Sequence, residues 1–290
     1  MESCRSRSPH TAICGARVDR DVVRFAVCIP VYNGAAFLGR ALESVAQQSL
    51  TDVTVIVSDN ASTDATPEIL AEWSRRLPMR IIRRPRTLPM RDHFNALLDE
   101  VDTESYMLLC HDDYLASPDA LAKAQAALDA DAGISAVYCD LVYVNEFGRS
   151  LAHRRFGREG RFRADDVGQR TLKTGRNCFG IPLAIRREAL GTRRYDERFL
   201  YAMDVDLSWS LSRERPAFHI PEPLIANRYS GQNSTWSMLN SVRREYIDLA
   251  TKYDRPPGRI ARMKIGMTCF SVTQQKRVFS LYERLRSWSG

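Results

Sequence analysis

Three short polar segments follow directly after apolar runs, and they carry the side chains best suited to chemistry. They are residues 30–33 (PVYN), 58–60 (SDN) and 111–113 (HDD). Each apolar run predicts a strand, and ligands of open parallel sheets bind beyond the carboxyl ends of the strands. We therefore expect the three segments to meet in one crevice. Adjacent carboxylates there suit a hard divalent cation such as Mg²⁺ or Mn²⁺, which could neutralise a diphosphate.

The glycine signatures of common nucleotide-binding folds are missing from the sequence. Neither G-x-G-x-x-G nor the P-loop pattern G-x-x-x-x-G-K-[ST] follows the first apolar run, so the crevice has no glycine cradle for phosphates. A second acidic pair, Asp204 and Asp206, begins a predicted helix, where the helix dipole favours acids. Positions i and i+2 of a helix point apart. This pair is therefore poorly placed to serve as the two flanking carboxyls of a glycoside hydrolase.

The first half of the chain alternates predicted strands with predicted helices. Strands are predicted at 24–32, 52–58, 80–83, 106–110 and 136–144, and helices at 36–48, 66–77, 92–101 and 118–130. This alternation indicates a parallel sheet with helices on both faces. Later in the chain, the arginine-rich residues 149–163 predict a mobile basic loop, and 199–211 contain a helix. Residues 219–229 predict a strand with Pro221 and Pro223 at its edge.

The positive charge of the chain is confined to its C-terminal part. The net charge is +7, and residues 231–290 contain 11 basic and 4 acidic residues, so the remainder is neutral. This distribution argues against a dispersed nucleic-acid footprint, although a basic arm stays open as an alternative. Residues 278–288 combine a helical apolar stripe with basic neighbours. Such a helix either lies on an anionic membrane surface or packs on the main domain.

The cysteines and the apolar runs indicate in which cellular compartment the protein works. Seven scattered cysteines without a C-x-x-C pair predict free thiols in a reducing cytosol rather than a zinc site or a disulfide framework. The apolar runs are far shorter than the ~20 residues that span a bilayer, and the N-terminus lacks a secretory signal. We expect a cytoplasmic protein, with association at the inner face of the cell membrane as the alternative. The Ser- and Arg-rich residues 1–23 predict a disordered leader.

Three segments, in their order and spacing, resemble family 2 glycosyltransferases of the GT-A fold. They are CIPVYN (28–33) with VSDNASTDAT (57–66), LLCHDD (108–113) and YAMDVDL (201–207). The resemblance covers roughly residues 25 to 229. It implies an α/β fold of the GT-A nucleotide-diphospho-sugar transferase type, with a Rossmann-like, mostly parallel sheet and helices on both faces.

The resemblance also implies a domain organisation. A GT-A domain would occupy residues 24–230, with a nucleotide-sugar-binding half at 24–117 and an acceptor half at 118–230. The leader 1–23 would precede it. A basic helical C-terminal extension, 231–290, would follow.

The resemblance assigns a set of residues to the sugar-nucleotide donor. These residues are Pro30, Tyr32, Asn33, Asp59, Arg91, Asn95 and Asp112. Asp59 would accept a hydrogen bond from the nucleobase, commonly uracil, so a UDP-sugar is the favoured donor. From the residues alone, Asp59 could instead end its strand in an Asx-type turn.

The same resemblance implies the reaction. Asp112, with Asp113, would hold Mn²⁺ or Mg²⁺ on the donor diphosphate, and Asp204 would deprotonate the acceptor hydroxyl as it attacks the anomeric carbon. The implied function is an inverting, metal-dependent glycosyltransferase that acts on a glycan or lipid-linked acceptor. Its setting would be bacterial surface polysaccharide or glycoconjugate biosynthesis, with no nucleic acid as partner.

Two positions depart from the family pattern. Cys110 stands where the family often has the first acid of its D-x-D segment, and Met203 stands where a Glu usually precedes the catalytic Asp. A thiol is a poor ligand for a hard cation, so Asp112 is left as the main metal candidate. These departures motivate an alternative from another class, a non-catalytic sugar-nucleotide or glycan-binding protein with a degenerate site.

Overall fold

Ten β-strands form one mixed sheet in the part of the chain that the structure describes. This computed structural model describes residues 23–230, 238 and 241–254, together with positions 258, 259, 262, 263, 265–267, 270, 271 and 274. The strands are β1 (Phe25–Val31), β2 (Val53–Asp59), β3 (Met79–Arg83), β4 (Ser105–Leu108), β5 (Tyr114–Leu115), β6 (Ala136–Val144), β7 (Ser150–Arg154), β8 (Gly160–Phe162), β9 (Pro182–Arg186) and β10 (Ala217–Arg228).

Helices cover both faces of this sheet. They are α1 (Leu38–Ala46), α2 (Thr66–Trp73), α3 (Met90–Leu98), α4 (Ala120–Ala130), α5 (Ala164–Thr174), α6 (Arg187–Leu190), α7 (Met203–Glu214) and α8 (Val242–Lys252). Among the described residues, no helix combines the length and the apolar character needed to cross a membrane.

The strand order along the sheet is β3-β2-β1-β4-β9-β6-β10-β5, with β7 paired to β6 and β8 paired to β10. β3, β2, β1 and β4 run parallel to one another, as do β6 and β10. The antiparallel pairs involve β5, β7, β8 and β9. The predicted α/β fold with a mostly parallel sheet is therefore confirmed, and the carboxyl ends of β1, β2 and β4 lie at one edge.

β1 separates two apolar cores. All seven of its residues are buried, and successive side chains of a strand point to opposite faces. Ala26 and Cys28 face the core that contains residues of α3, α5, α7 and α8. Val27 and Ile29 face the core that contains residues of α1, α2 and α4. This division explains why the sequence of β1 is continuously apolar rather than alternating.

The prediction of a mobile basic loop at 149–163 is wrong, because this segment forms β7 and β8. β7 makes an antiparallel hairpin with β6, and Gly148 supplies the positive φ of 77° that the turn requires. Arg154 donates from Nη1 to the hydroxyl of Tyr143 at 2.7 Å, and Phe156 is buried beyond the strand. β7 and β8 are short, and their exposed residues and the arginines that flank them leave no clean apolar alternation, which is why the sequence pattern misled.

Helix α5 was not predicted from the sequence, and it depends on a close approach to α7. A Cβ at Gly168 would lie 2.4 Å from ring atoms of Trp209, so only glycine fits between the two helices. Trp209 is fully buried and donates from Nε1 to the carboxylate of Asp165 at 2.8 Å. A glycine inside a helix usually weakens it, and here the lost helix propensity is offset by packing.

The strand predicted at 219–229 is confirmed as β10, but it lies inside the sheet between β6 and β5. Proline has no backbone N–H for a sheet ladder, so prolines within sheets occur at edges or bulges. The register between β10 and β6 shifts on both sides of Pro223. The prolines thus lie at a bulge, in the stretch of β10 between its pairing with β8 at 217–219 and its pairing with β5 at 225–226.

Two predictions concern segments that lie largely outside the described residues. The leader 1–23 lies outside the described residues except for Val23, and so does the apolar stripe at 278–288. Within the predicted C-terminal extension, α8 packs on α7, and the ring of Tyr253 stacks on Trp209 with centroids 4.3 Å apart. The division of the chain at residues 117 and 230 stays a prediction.

Candidate active site

The segments after β1 and β2 are joined by hydrogen bonds. The amide of Asn33 donates to the hydroxyl of Ser62 at 2.9 Å, and the amide of Thr63 donates to Oδ1 of Asn33 at 2.8 Å. Asn33 and Ala61 have left-handed backbone conformations, with φ of 49° and 60°. Such conformations are costly outside glycine and cluster at functional sites. The two strand ends therefore form one connected wall, as the sequence predicted.

Asp64 fixes the entrance to helix α1. Its Oδ2 accepts from the amide of Ala35 at 3.0 Å, and its Oδ1 accepts from the amide and hydroxyl of Thr66 at 3.0 and 2.6 Å. The Thr66 hydroxyl also accepts from the amide of Gly34 at 2.9 Å. Burial alone would raise the pKa of Asp64, but these hydrogen bonds outweigh it and hold the pKa below its ordinary value. Asp64 therefore has a structural role at the start of α1 and α2.

Asp59 lies at the end of β2 and is almost fully buried, at 1% exposure. Its Oδ1 accepts from the amide of Ser62 at 2.9 Å, and its Oδ2 forms an ion pair with Arg83 of β3. The turn interpretation of Asp59 is thus correct. A carboxylate offers about four acceptor sites, so these two contacts do not exhaust it. The nucleobase contact stays a prediction.

The other residues predicted at the end of β1 lie in different environments. Pro30 is buried within β1, whereas Tyr32 is 47% exposed and Asn33 is exposed beside it. An exposed aromatic ring at a strand end offers an apolar face to a planar ligand. Tyr32 and Asn33 therefore lie on the open side of the crevice, and Pro30 lies beneath them.

Arg91 and Asn95 connect helix α3 to the segment that leads into α7. Both amide atoms of the Asn95 side chain bond the backbone of Tyr195, at 3.0 and 2.8 Å. Arg91 donates from Nη1 to the carbonyl of Glu197 at 2.9 Å and also pairs with Asp92. Both side chains are engaged by protein groups, and the predicted donor contacts stay predictions.

His93 packs behind β2. It is 3% exposed, its Nε2 lies 2.8 Å from the hydroxyl of Ser58, and burial lowers its pKa to about 4. Arg84 donates from Nε to the same hydroxyl at 3.0 Å. His93 is therefore neutral at physiological pH and supports the strand that ends in Asp59.

The turn after β4 brings together Cys110, Asp112 and Asp113, whose potential ligand atoms lie within 4.8 Å of one another. Asp113 is 5% exposed and accepts from the amide of Arg228 at 2.8 Å and from the side chain of Asn227 at 3.0 and 3.1 Å. Burial raises the pKa of Asp113, the charge of Asp112 raises it further, and the hydrogen bonds oppose both. Asp113 therefore anchors the turn to β10.

Arg228 is a residue of this site that the sequence interpretation missed. It is 4% exposed, donates from Nε to the carbonyl of Asp112 at 2.9 Å, and its guanidinium lies over the ring of Phe37 at 4.7 Å. Its Nη1 donates to the carbonyls of Asn145 and Glu146 at 3.2 and 2.6 Å. A single arginine at the end of an apolar strand was the available signal, because arginine is rarely buried without partners.

The side chains at this turn offer a divalent cation only one available carboxylate ligand. The pKa of the Cys110 thiol is raised well above its ordinary value by burial, and further by the charges of Asp113, Asp112 and Asp204. A protonated thiol is no ligand for a hard cation, and Asp113 is committed to β10. Mg²⁺ is often held by one or two carboxylates plus substrate phosphates. Asp112 can supply the protein share of such a site.

Asp204 lies in the first turn of α7, near enough to Cys110 for its charge to act on that thiol. Its side chain is accessible to solvent although protein surrounds it on most sides, and this desolvation raises its pKa to about 6. The charge of Asp204 acts on Cys110 and on Tyr195, so the α7 start borders the crevice. Met203, at 2% exposure, belongs to the apolar core. The position before Asp204 therefore serves packing here.

Asp206 has a different environment from Asp204. It is 2% exposed and pairs with Nζ of Lys252 at 2.7 Å, and the hydroxyl of Tyr253 donates to it at 3.0 Å. The two acids therefore point apart, as their spacing predicted. Asp204 faces the crevice, and Asp206 connects α7 to α8.

The fold is shared with solved glycosyltransferase structures. TarS 1–349 of S. aureus in complex with UDP-GlcNAc matches with a TM-score of 0.61 at 16% identity, over 77% of this chain and 66% of that one. The mannosyltransferase PcManGT of Pyrobaculum calidifontis, in complex with GDP-Man and Mn²⁺, matches with a TM-score of 0.59 at 17% identity, over 91% and 82%. The predicted GT-A class of fold is confirmed.

The sequence matches the family model described as glycosyl transferase family 2 over residues 26–194, which is more than half of the chain. The chain therefore belongs to glycosyl transferase family 2, and the predicted resemblance is confirmed. The abequosyltransferase RfbV of Salmonella typhimurium is 33% identical over 132 residues, which are 42% of this chain and 39% of that protein. The chain spans between 29% and 39% of the length of the first curated relatives that it matches.

Proposed function

We propose that this protein is an inverting, metal-dependent glycosyltransferase that moves a sugar from a nucleoside-diphosphate-sugar to a hydroxyl acceptor. The observation that carries the proposal is the position of Asp204, a solvent-accessible carboxylate with a pKa of about 6 at the border of the crevice. A general base works best when its pKa lies near the operating pH. Family membership supports the same reaction.

In the proposed reaction, Asp204 takes the proton of the acceptor hydroxyl while the hydroxyl oxygen attacks the anomeric carbon. The bond between that carbon and the diphosphate oxygen breaks, and the nucleoside diphosphate leaves with the bonding electron pair. Attack on the face opposite the leaving group inverts the anomeric configuration. With a pKa of about 6, Asp204 is mostly ionised at pH 7.5 and ready to accept the proton.

The donor would bind along the wall made by the ends of β1 and β2. Tyr32 and Asn33 are exposed there, with Pro30 beneath them and Asp59 at the end of β2. TarS has been solved with UDP-GlcNAc and PcManGT with GDP-Man, which supports a nucleotide-sugar donor. A UDP-sugar stays our favoured donor. We keep Arg91 and Asn95 as predicted donor contacts that act from α3.

A divalent cation, Mn²⁺ or Mg²⁺, would be held by Asp112 on the donor diphosphate, with Asp113 orienting the turn. When bound, such a cation neutralises the charge that develops on the departing diphosphate. The description of PcManGT with Mn²⁺ supports this assignment. Arg228 donates to the carbonyl of Asp112 and so holds the backbone that carries this carboxylate.

We propose that residues 24–117 bind the donor and residues 118–230 the acceptor, with 1–23 as a leader and 231–290 as a basic extension. The acceptor would be a glycan or a lipid-linked glycan of bacterial surface polysaccharide or glycoconjugate biosynthesis. RfbV, described as an abequosyltransferase, supports this setting. We place the protein in the cytoplasm; the apolar stripe predicted at 278–288 would either contact the inner membrane face or pack on the main domain.

The first test is thermal stability with UDP, GDP, CDP and dTDP, each with and without Mn²⁺. A ligand at about 100 times its dissociation constant should stabilise the protein by roughly 2.7 kcal/mol, or a few degrees. We expect one nucleotide to act, and only with Mn²⁺. Asp112→Asn should remove the shift, whereas Asp102→Asn, an exposed acid just before β4, should keep it.

Turnover then separates an enzyme from a binding protein. We expect the donor that binds to be consumed in the presence of an acceptor, and NMR of the product to show the inverted anomeric configuration. Binding without any turnover, even by hydrolysis, would contradict the proposal and favour a sugar-nucleotide-binding protein. No shift with any nucleotide in a folded protein would contradict the donor site itself.

A further inference from the structure

We infer that Glu245 of helix α8 is a positioning residue for Asp204, an inference that rests on the proposed function. Glu245 is 4% exposed. One of its oxygens, Oε2, accepts hydrogen bonds from the backbone amides of Leu200, Tyr201 and Ala202, at 2.9, 2.7 and 2.8 Å. These amides immediately precede the turn that bears Asp204.

The three amides lie in the backbone that leads into α7: Ala202 is the N-cap of the helix, and Leu200 and Tyr201 precede it. The first N–H groups of a helix lack partners within it, and a side chain at the N-cap position normally accepts from one of them. The N-cap of α7 is Ala202, which has no capping side chain. Glu245, 43 residues further along the chain, bonds the amide of this N-cap and the two amides before it, so it holds the entrance to the helix. Hydrogen bonds to an ionised acceptor are roughly twice as strong as neutral ones.

A second contact from α8 holds the other side of Asp204. Nζ of Lys252 lies 2.7 Å from Asp206 and 2.9 Å from Asp196, and the hydroxyl of Tyr253 donates to the carbonyl of Asp206 at 2.9 Å. Asp204 thus lies between two points that are both fixed by α8. The backbone around it has little freedom, while its own side chain stays open to the crevice.

Positioning of this kind affects rate more than binding. The donor wall is built from β1, β2 and the turn after β4, whereas these three hydrogen bonds of Glu245 lie on the segment before α7. Loss of the Glu245 contacts should therefore displace Asp204 relative to the acceptor hydroxyl and leave the nucleotide in place. Misplacement of a reacting group by about 1 Å can cost roughly a hundredfold in rate.

The test compares Glu245→Ala and Glu245→Gln with Asp248→Asn in the full chain. Asp248 is a matched control, because it lies on α8 and pairs with Arg244 at 3.7 Å on the surface. Hydrogen exchange of residues 200–202 reports on the contact, kcat on positioning, and the dissociation constant of the nucleotide on the donor wall. Glutamine keeps an acceptor oxygen without the charge, so it should rescue part of the loss.

We expect Glu245→Ala to speed exchange at residues 200–202 and to lower kcat roughly tenfold to a hundredfold, with nucleotide affinity and donor KM within about twofold of wild type. Glu245→Gln should lie between, and Asp248→Asn should match wild type. Unchanged exchange, or unchanged kcat in a folded Glu245→Ala protein, would overturn the inference. A parallel loss of kcat and nucleotide affinity would also overturn it, because it indicates a general structural role.

Two further measurements keep the result decisive. If Glu245→Ala does not fold, the same criteria apply to Glu245→Gln, whose smaller change preserves one acceptor. Asp204→Asn is measured in the same series. If Asp204→Asn keeps full transfer, the assignment of the base is wrong. If Asp204→Asn is inactive while the Glu245 variants are fully active, only the role of Glu245 is wrong.

Discussion

The two sides of the crevice are held together by different physical means. The donor edge comprises the loops at 32–35 and 58–66, and the bonds that join these two loops come from short side chains, as between Asn33 and Ser62; its ion pair, between Asp59 and the half-exposed Arg83, connects it to β3. The base side, which comprises the start of α7 and helix α8, is joined by buried charges. Glu245 bonds three amides, and Lys252 pairs with Asp206.

This difference has an energetic and a chemical meaning. A neutral hydrogen bond contributes about 1 kcal/mol net, whereas removal of one partner of a buried ion pair costs several kcal/mol. The donor edge can therefore adjust to a ligand at small cost. The base side resists adjustment, which suits a carboxylate that has to meet one proton in one direction.

Asp204→Asn should have the largest effect on the base side. Asparagine has the same shape but cannot accept a proton, and a positioned general base typically contributes about 10² to 10⁴ in rate. We expect transfer to fall by that factor while nucleotide affinity is unchanged. Asp166→Asn is the matched control, because Asp166 is an exposed acid in the first turn of α5. Full transfer by Asp204→Asn would contradict the claim that the rigid base side serves to hold a proton acceptor.

Lys252→Met should test whether the buried charges of the base side cost several kcal/mol to disrupt. Methionine keeps much of the apolar stem but leaves Asp206, at 2% side-chain exposure, without its cation. We expect a loss of about 3 kcal/mol in the free energy of unfolding, measured by urea denaturation. Arg198→Met removes an exposed partner of the neighbouring Asp196 and should cost less than about 1 kcal/mol. Equal losses in both variants would contradict the distinction.

Thr66→Val should show the smaller cost of the donor edge. Valine has the shape of threonine but cannot bond the amide of Gly34 or the carboxylate of Asp64. Leaving a buried amide unsatisfied costs roughly 1–3 kcal/mol, and we expect about 2 kcal/mol together with weaker nucleotide binding. Thr54→Val, which loses only a 3.5 Å contact to the carbonyl of Pro78, should change neither. If Thr66→Val lost more stability than Lys252→Met, the donor edge and not the base side would be the more costly to disrupt.

The pH dependence of kcat tests the base side without any mutation, and it should show the smallest effect. The pKa of Asp204 is raised by burial to about 6, so kcat should rise with pH through 6 and fall about tenfold per unit below it. His93 cannot produce this limb, because its pKa is lowered to about 4. Initial rates between pH 4.5 and 8 check the midpoint. A rate that is flat from pH 5 to 7 would contradict the assignment of the base.

The same shift has a consequence for stability. Because the folded-state pKa of Asp204 lies above its ordinary value of 3.8, the native state holds this proton more tightly than the unfolded state. Stability contributed by that proton is lost as pH rises from about 4 through 6. Asp204→Asn should therefore raise the melting temperature at pH 8 and not at pH 4, as differential scanning calorimetry can show.

The sequence alone predicted that the ends of β1 and β2 meet, and it proposed the central acids from local signals. β1 is buried on both faces and therefore reads as a continuous apolar run, Asp59 ends β2, and Asp112 lies shortly after β4. Asp204 was proposed from a motif that lies within a few residues of one helix start. In each case the signal is local, since the neighbours that define the role are close in the chain.

The remaining features could not be predicted, because their partners are distant in sequence. Glu245 looks like one more acid on a basic helix until the amides of residues 200–202 are placed beside it. Gly168 weakens the case for a helix until Trp209 is seen against it. Strand β7 lies in an arginine-rich segment, and the packing of its Arg154 against Tyr143 of β6 is not visible in the sequence. Burial and partnership of such residues are properties of the tertiary fold.

The placement of β1 between two cores determines where suppressor mutations should arise. A cavity or a clash introduced at Ala26 would be felt by residues of α3, α5, α7 and α8, whereas one at Val27 would be felt by α1, α2 and α4. Neighbouring positions in the sequence would therefore acquire compensating substitutions on opposite sides of the protein. The experiment is to mutate Ala26 and Val27 separately and to select second-site mutations that restore function. The suppressors of the two mutations should lie on opposite sides of β1.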